Sequence, residues 1–508
     1  MSYDVIFVTG ELFFDHPMSG VAILKRLLEK YGYSVAVIEQ PQSSKDLTKF
    51  GKPNLFFGVT SGSIDSMVRN YTPLKKKREE DDFLDYDENV KDRAVIVYSN
   101  WIKEQFKDIC IVLGGTEATL RRFTHYDYWD NKLRKSILLD SKSNILVYGN
   151  GEKQILEIAK RLKEKKDLTR IEGTCVISNE FPIGCKLLPS HDDVSKSKEK
   201  FIDMQNMLDN SSFLVQKVND KFILQFPSPK YTSKDLDEYY EFPFTRKVPK
   251  TLRGFEFSVV THRGCIGGCN FCSLKLIQGE KIISRSEDSI LREINLLVKH
   301  PSFKGNIDDL GGPSANMYGM DCEKCSSGKC IVCKNLDRSQ KKLISLLKKI
   351  NKIEGIKHTY IRSGIRFDLT NEEYIKQLIS GGHIFNTLRI APEHVDKNVL
   401  TLMNKNVDDL NKFISLFEKM QDKFNYKELS YYFMTAHPGS SMEEVEKLAK
   451  YMKKLKNVES VQIFIPTPMT NSTCMYYTGM DLKKNKIYVP YTYNEKKKQK
   501  NILFSKPL

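Results

Sequence analysis

The sequence contains no stretch of about 18 uncharged apolar residues, which excludes a membrane-spanning helix of ordinary length. Its first residues, Met1-Ser2-Tyr3-Asp4-Val5, carry no basic segment leading into an apolar run. No secretory signal is therefore expected, and the chain is placed in the cytoplasm with no membrane partner. No internal repeat or low-complexity tract stands out. Acidic residues are in the minority, 64 Asp plus Glu against 80 Lys plus Arg, for a net charge of +16. The excess is mostly lysine scattered among Asn, Ile, Tyr and Phe, and runs such as Lys75-Lys76-Lys77-Arg78 and Lys496-Lys497-Lys498 read as solvated surface. A nucleic-acid partner is thus only weakly supported.

The 508 residues, 40% apolar and 28% charged, fall in the globular range, and at roughly 100–200 residues per domain they make two to four domains. Seven of the eleven cysteines fall in two tight groups, Cys265/Cys269/Cys272 and Cys322/Cys325/Cys330/Cys333. In a reducing compartment such spacing reads as metal ligation rather than as disulfides.

The hydrophobic pattern is α/β. Val5-Ile6-Phe7-Val8, Ser34 to Ile38, Leu55 to Val59, Ala94-Val95-Ile96-Val97, Ile109 to Leu113 and Ile145 to Tyr148 read as short buried strands. They predict a doubly wound Rossmann-like domain over residues 1–190, interrupted by a charged loop from Lys75 to Asp87. Residues 191–250 read as a connector. A second βα series follows over 251–470, with strands at 255–261, 306–310, 357–363, 386–391, 428–436 and 459–465, and a four-cysteine insertion at 322–333. Six units cannot close a standard eight-unit barrel, so a partial (β/α)6 barrel with its site at the strand C-termini is expected. Residues 471–508 read as a short basic extension.

Directly after the first strand of that series comes Arg263-Gly264-Cys265-Ile266-Gly267-Gly268-Cys269-Asn270-Phe271-Cys272. Three thiolates can hold three irons of a cubane cluster and leave the fourth iron open to an outside ligand. The same spacing also fits three ligands of a zinc site. The position at a strand end and the aromatic between the last two cysteines weigh toward the cluster. Two CxxC pairs, Cys322/Cys325 and Cys330/Cys333, supply tetrahedral sulfur coordination that suits structural zinc, a single iron or an auxiliary Fe–S cluster, and the sequence does not choose among them.

Motif, placement and aromatic resemble the radical S-adenosylmethionine (SAM) superfamily. Longer stretches are similar to its YgiQ family: Tyr71-Thr72-Pro73, Arg93 to Ser99, Leu113-Gly114-Gly115-Thr116-Glu117-Ala118, His125 to Trp129, Asp309 to Pro313, Ile390-Ala391-Pro392-Glu393-His394, Ala436-His437-Pro438-Gly439 and Met475 to Gly479. The resemblance implies a [4Fe–4S] cluster on Cys265, Cys269 and Cys272, reductive cleavage of SAM to a 5′-deoxyadenosyl radical acting on an unidentified substrate, and a reductant such as flavodoxin or ferredoxin. It also implies SAM contacts from Phe271 beside the adenine, from the Gly311-Gly312 turn, where proline replaces the usual glutamate, and from Arg389 and Glu393. His394 and His437 are candidate substrate contacts or acid–base groups. The N-terminal domain resembles cobalamin-binding Rossmann domains but lacks their Asp-x-His-x-x-Gly signature, so cobalamin is a minor alternative. The competing reading is an Fe–S scaffold or electron-transfer protein without radical catalysis. Three cysteines rather than four favour the enzyme, because an electron-transfer cluster normally has every iron ligated.

Overall fold

The computed structural model describes residues 2–78, 90–324, 330–405, 410–421 and 427–504. The chain divides into two units, one comprising Met1–Lys230, Phe242–Arg253 and Ile465–Asn485, the other Tyr231–Glu241, Gly254–Phe464 and Lys486–Leu508. Among the described residues no helix is long and apolar enough to cross a membrane.

In the first unit the fully buried strand Val5–Thr9 lies between Val35–Glu39 and Phe56–Thr60, all parallel. Cys110–Leu113 and then Ile145–Val147 continue the parallel sheet. This second-first-third-fourth-fifth order is that of a doubly wound sheet, and its Val, Ile, Phe and Leu runs suit strands covered on both faces. The helix Gly20–Lys30 starts where the Ser19 hydroxyl accepts the Ala22 N–H, and it buries Val21, Ala22, Ile23, Leu27 and Leu28. Thr174–Ser178, Lys221–Gln225, Leu214–Val218 and Lys186–Leu188 extend the sheet to nine strands. Residues 191–250, expected as a connector, thus contribute two strands to it.

One expected strand is a helix. Ala94-Val95-Ile96-Val97 opens the helix Ala94–Gln105, whose buried residues Ala94, Val95, Tyr98, Ser99 and Ile102 follow a helical period. A four-residue window of mostly β-branched side chains is too short to display that period, so it reads as a strand. Most of the expected charged loop, positions 79–89, lies outside the described residues.

In the second unit, Val259–Val260 pairs in parallel with Leu310–Gly311, Asn306–Ile307 pairs with His358–Thr359, and Ile365 bridges Ile390. Thr387–Glu393, Glu428–Thr435 and Val458–Ile463 then pair in parallel. This gives six strands in sequence order, and among the described residues no pairing joins the last to the first. The partial barrel is therefore open. Its helices include Glu287–Val298, Glu372–Ser380 and Met442–Met452, each begun by a side-chain cap from Ser286, Asn371 or Ser441. Leu388, Ile390, Tyr431 and Phe433 from the strands pack with Ile294, Leu378, Phe417 and Leu448 from the helices. Since strand side chains alternate, Arg389 points away from that core, to the inner face of the sheet. Parallel strands direct all their C-terminal loops to one end, and the candidate site lies there.

Candidate metal centre

The cysteine loop leaves the first strand through Gly264, whose φ of +87° is left-handed and whose added Cβ would stand 1.9 Å from the Lys281 carbonyl oxygen. Only glycine fits. The Cys265 N–H donates to the Gly279 carbonyl (3.1 Å) and the Cys272 N–H to the Cys269 carbonyl (3.1 Å). Asn270 fastens the loop to the helix Lys397–Leu402 and its end, its N–H bonding the Met403 carbonyl (2.8 Å) and its side-chain amide the Leu402 carbonyl (2.9 Å). Asn404 donates to the Gly268 carbonyl at 2.8 Å.

Cys265, Cys269 and Cys272 are free, half-buried thiols. Burial pushes the Cys272 thiol up to about 12, and the neighbouring Cys269 and Cys265 sulfurs push it the same way. Burial likewise raises Cys265, opposed by the backbone N–H of Gly267 and by the cations of Arg366 and Lys405. The Arg366 guanidinium donates to the Cys269 sulfur at 3.4 Å and forks onto Asp368 at 3.0 and 2.6 Å. Among the described residues no three Cys, His, Asp or Glu groups converge on a bare ion. The fit to a cluster rests on donor chemistry: three thiols that feel one another in one rigid loop, with a cation set against one sulfur, are ligands suited to iron–sulfur.

The other strand ends surround this loop. The Gly311 carbonyl accepts the Thr261 N–H at 2.8 Å, and a Cβ on Gly312 would lie 2.7 Å from the ring of buried His262. Glu393 ends the fourth strand with φ +69° after a register shift, and its carboxylate meets Lys405 at 3.2 Å. Ala436 follows the fifth, Glu428–Thr435, with φ +59°. Each of these left-handed residues is followed by a fully buried histidine, His394 and His437. His394 Nδ1 accepts the Asp396 N–H at 3.0 Å, which leaves its proton on Nε2, and Nε2 has no partner among the described residues. His437 Nδ1 lies 2.8 Å from the Pro438 carbonyl, so it carries the proton there, and its ring meets Phe271 and Phe464 edge-on. From the helix Tyr493–Phe504, Gln499 accepts from Thr435 Oγ1 (3.0 Å) and the Ala436 N–H (2.9 Å), and donates to the Ser440 carbonyl (2.7 Å).

The expected residues are unevenly gathered. Glu393 acts electrostatically on Cys272, and Phe271 packs with Val399, Leu400 and Met403. Arg389 sits mid-strand, 43% exposed, with its guanidinium on Glu459 at 3.0 Å. Glu459 also accepts the hydroxyls of Ser430 and Tyr432. Cys330 and Cys333 pack against Ile266, Met317, Met320 and Leu336, the same apolar cluster that Cys265 touches. Cys322 is half-buried, and Cys325 lies outside the described residues. Sequence reasoning missed Arg366, Asp368, Lys405 and His262; the Arg-x-Asp that follows the third strand was the available signal for the first two.

Residues 1–258 match the family described as Radical SAM N-terminal, and residues 259–452 match the Radical SAM superfamily. A UPF0313 protein of Methanocaldococcus jannaschii is 44% identical over 539 residues, spanning 98% of this chain and 89% of its own. One from Fusobacterium nucleatum is 40% identical over 547 residues, spanning 99% and 96%. Among solved structures, the radical SAM methyltransferase TsrM from Kitasatospora setae, with cobalamin and a [4Fe–4S] cluster bound, has a TM-score of 0.56 at 14% identity, covering 94% of this chain and 79% of its own. The cobalamin-dependent SAM radical enzyme OxsB, with aqua-cobalamin bound, has a TM-score of 0.50 at 11% identity, covering 99% and 56%. At these identities the two structures bear on the fold alone.

Proposed function

Because this chain belongs to the radical SAM superfamily and, within it, to the UPF0313 family, which is the YgiQ family, we propose that Cys265, Cys269 and Cys272 are the ligands of its [4Fe–4S] cluster. The chain is a radical SAM enzyme, and its cofactors are that cluster and SAM. The chemistry supplied by the bound cluster is one-electron reductive cleavage of SAM to methionine and a 5′-deoxyadenosyl radical, so the protein needs an electron donor. The scaffold or pure electron-carrier reading is not favoured.

The observation that supports the ligand assignment is the cysteine loop itself: three free thiols, held by Gly264 and Asn270 at the end of the first strand, with Arg366 against the middle sulfur. The surrounding residues then have only to bind and orient SAM. Glu393 accepts ribose hydroxyls, the Phe271 backbone borders the adenine, and the Gly311-Gly312 turn offers backbone to the amino group. Arg389 exchanges Glu459 for the SAM carboxylate. Cys322, Cys325, Cys330 and Cys333 hold a second metal, zinc or an Fe–S cluster. The electron comes from a flavodoxin or ferredoxin in the cytoplasm, and the substrate class is open.

A second reading adds cobalamin in the first unit. TsrM and OxsB hold cobalamin, and they share this chain's fold across both units. Spectroscopic titration of the protein with hydroxocobalamin decides this reading.

The ligand assignment is tested by anaerobic reconstitution, reduction and addition of SAM, with 5′-deoxyadenosine as the readout. Wild-type protein is expected to form it, and Cys265→Ala, Cys269→Ala and Cys272→Ala are each expected to abolish it. Normal yield in all three variants would overturn the assignment.

A further inference from the structure

We propose that Arg366 is a positioning residue for the cluster: its charge, aimed at the Cys269 sulfur and counterbalanced by Asp368, sets how easily the cluster takes up its electron. This rests on the ligand assignment above.

Arg366 is only 7% exposed, and each of its groups is committed. Its N–H and carbonyl are clamped by the side chain of buried Asn316, at 2.9 and 2.8 Å. Its Nε and Nη2 fork onto Asp368, which leaves Nη1 as the nitrogen aimed at the thiol loop. A bidentate fork fixes the plane of a guanidinium as a point-charge ammonium cannot be fixed. The loop makes room for it: a Cβ on Gly267 would stand 2.5 Å from Nη1 and 3.4 Å from the Cys265 sulfur. A glycine at this position is therefore what lets the cation reach the sulfur.

A hydrogen bond and a positive charge at a cluster sulfur favour the more negative of two oxidation states, here the one-electron-reduced one. Asp368 works in the opposite sense while holding the guanidinium in place. The pair therefore predicts effects of opposite sign when each partner is neutralised, which a purely structural clamp does not.

The full-length wild type, Arg366→Gln, Arg366→Lys and Asp368→Asn are reconstituted anaerobically. Iron and sulfide per chain, far-UV circular dichroism and the midpoint potential by EPR-monitored dithionite titration are then measured. Arg366→Gln is expected to disfavour reduction at least tenfold, about 59 mV for a one-electron couple. Asp368→Asn is expected to shift the potential the other way, and Arg366→Lys to stay nearer wild type. Full clusters with unchanged potentials, or shifts of the same sign in both neutral variants, overturn the proposal. If Arg366→Gln folds but loses iron, recovery of iron in Arg366→Lys supports it, and failure to recover overturns it. Wild-type protein that takes up no cluster, or cysteine variants that keep theirs, would instead overturn the ligand assignment, and this inference with it.

Discussion

Lys405 and Glu393 meet at 3.2 Å with side chains only 10% and 13% exposed, and they act on different thiols of the same loop. Lys405 favours the thiolate of Cys265, whereas Glu393 disfavours that of Cys272. Removing Lys405 strands a mostly buried carboxylate. Lys405→Met is expected to destabilise the second unit by about 1–3 kcal/mol in denaturant titration, and adding Glu393→Gln to recover most of that loss. Equal stability of Lys405→Met and wild type would show that water already solvates Glu393.

Arg389→Ala is expected to weaken SAM binding roughly 10- to 150-fold, the equivalent of about 1.5–3 kcal/mol for a charge-assisted contact, without changing iron content. Glu459→Gln removes the competing partner that lies 3.0 Å from Arg389 and should tighten SAM instead. Equilibrium binding to the reconstituted protein measures both. Unchanged affinity in the two variants removes Arg389 from the SAM site.

Gly312→Ala places a methyl 2.7 Å from the His262 ring and 2.8 Å from its carbonyl oxygen. Neither the buried His262 ring nor its backbone carbonyl can yield cheaply, so a loss of about 1–3 kcal/mol is expected. Gly20→Ala is the control, because nothing stands within 4 Å of its added Cβ. Comparable unfolding midpoints for the two variants would contradict the crowding.

Burial holds His262 and His394 down to about 4 and His437 down to about 3. In the unfolded chain each titrates near 6.5, so below that pH the unfolded state binds protons that the folded state refuses. Stability is complete above about 6.5 and falls as the pH drops toward 4, by roughly 1–3 kcal/mol per histidine. Urea midpoints at pH 7 and pH 4.5 measure the slope. His394→Asn should flatten it, and an unchanged slope in that variant would mean that other groups carry the acid response.

Much of this was legible beforehand where chemistry lies close in sequence. The cysteine loop and the six strands of the open barrel follow from spacing and periodicity, which the chain displays locally, whereas Glu393 was pointed to by the resemblance and lies, as expected, at the end of the fourth strand. Arg366 was only half legible: Arg366-Phe367-Asp368 offers a charged pair just past the third strand, but nothing in it announces a sulfur 97 residues away, to which the third strand brings it. Arg389 was expected, with Glu393, to flank the end of the fourth strand; it lies within that strand instead, where alternation turns it onto the inner face, toward Glu459. The helix at Ala94 was misread because four residues cannot reveal a period of 3.6.

The chain passes between the two units five times, at 230/231, 241/242, 253/254, 464/465 and 485/486. On the ribosome, therefore, neither unit is complete when its bulk has emerged. The nine-stranded sheet is translated before residue 230 but waits for Ile465–Asn485 to finish its unit. The end of the fifth barrel strand waits longer, until Gln499 arrives to satisfy Thr435, Ala436 and Ser440. Folding of the second unit thus closes only after residues 486–504 have emerged, and a nascent chain stalled before Gln499 leaves the end of the fifth strand unsatisfied.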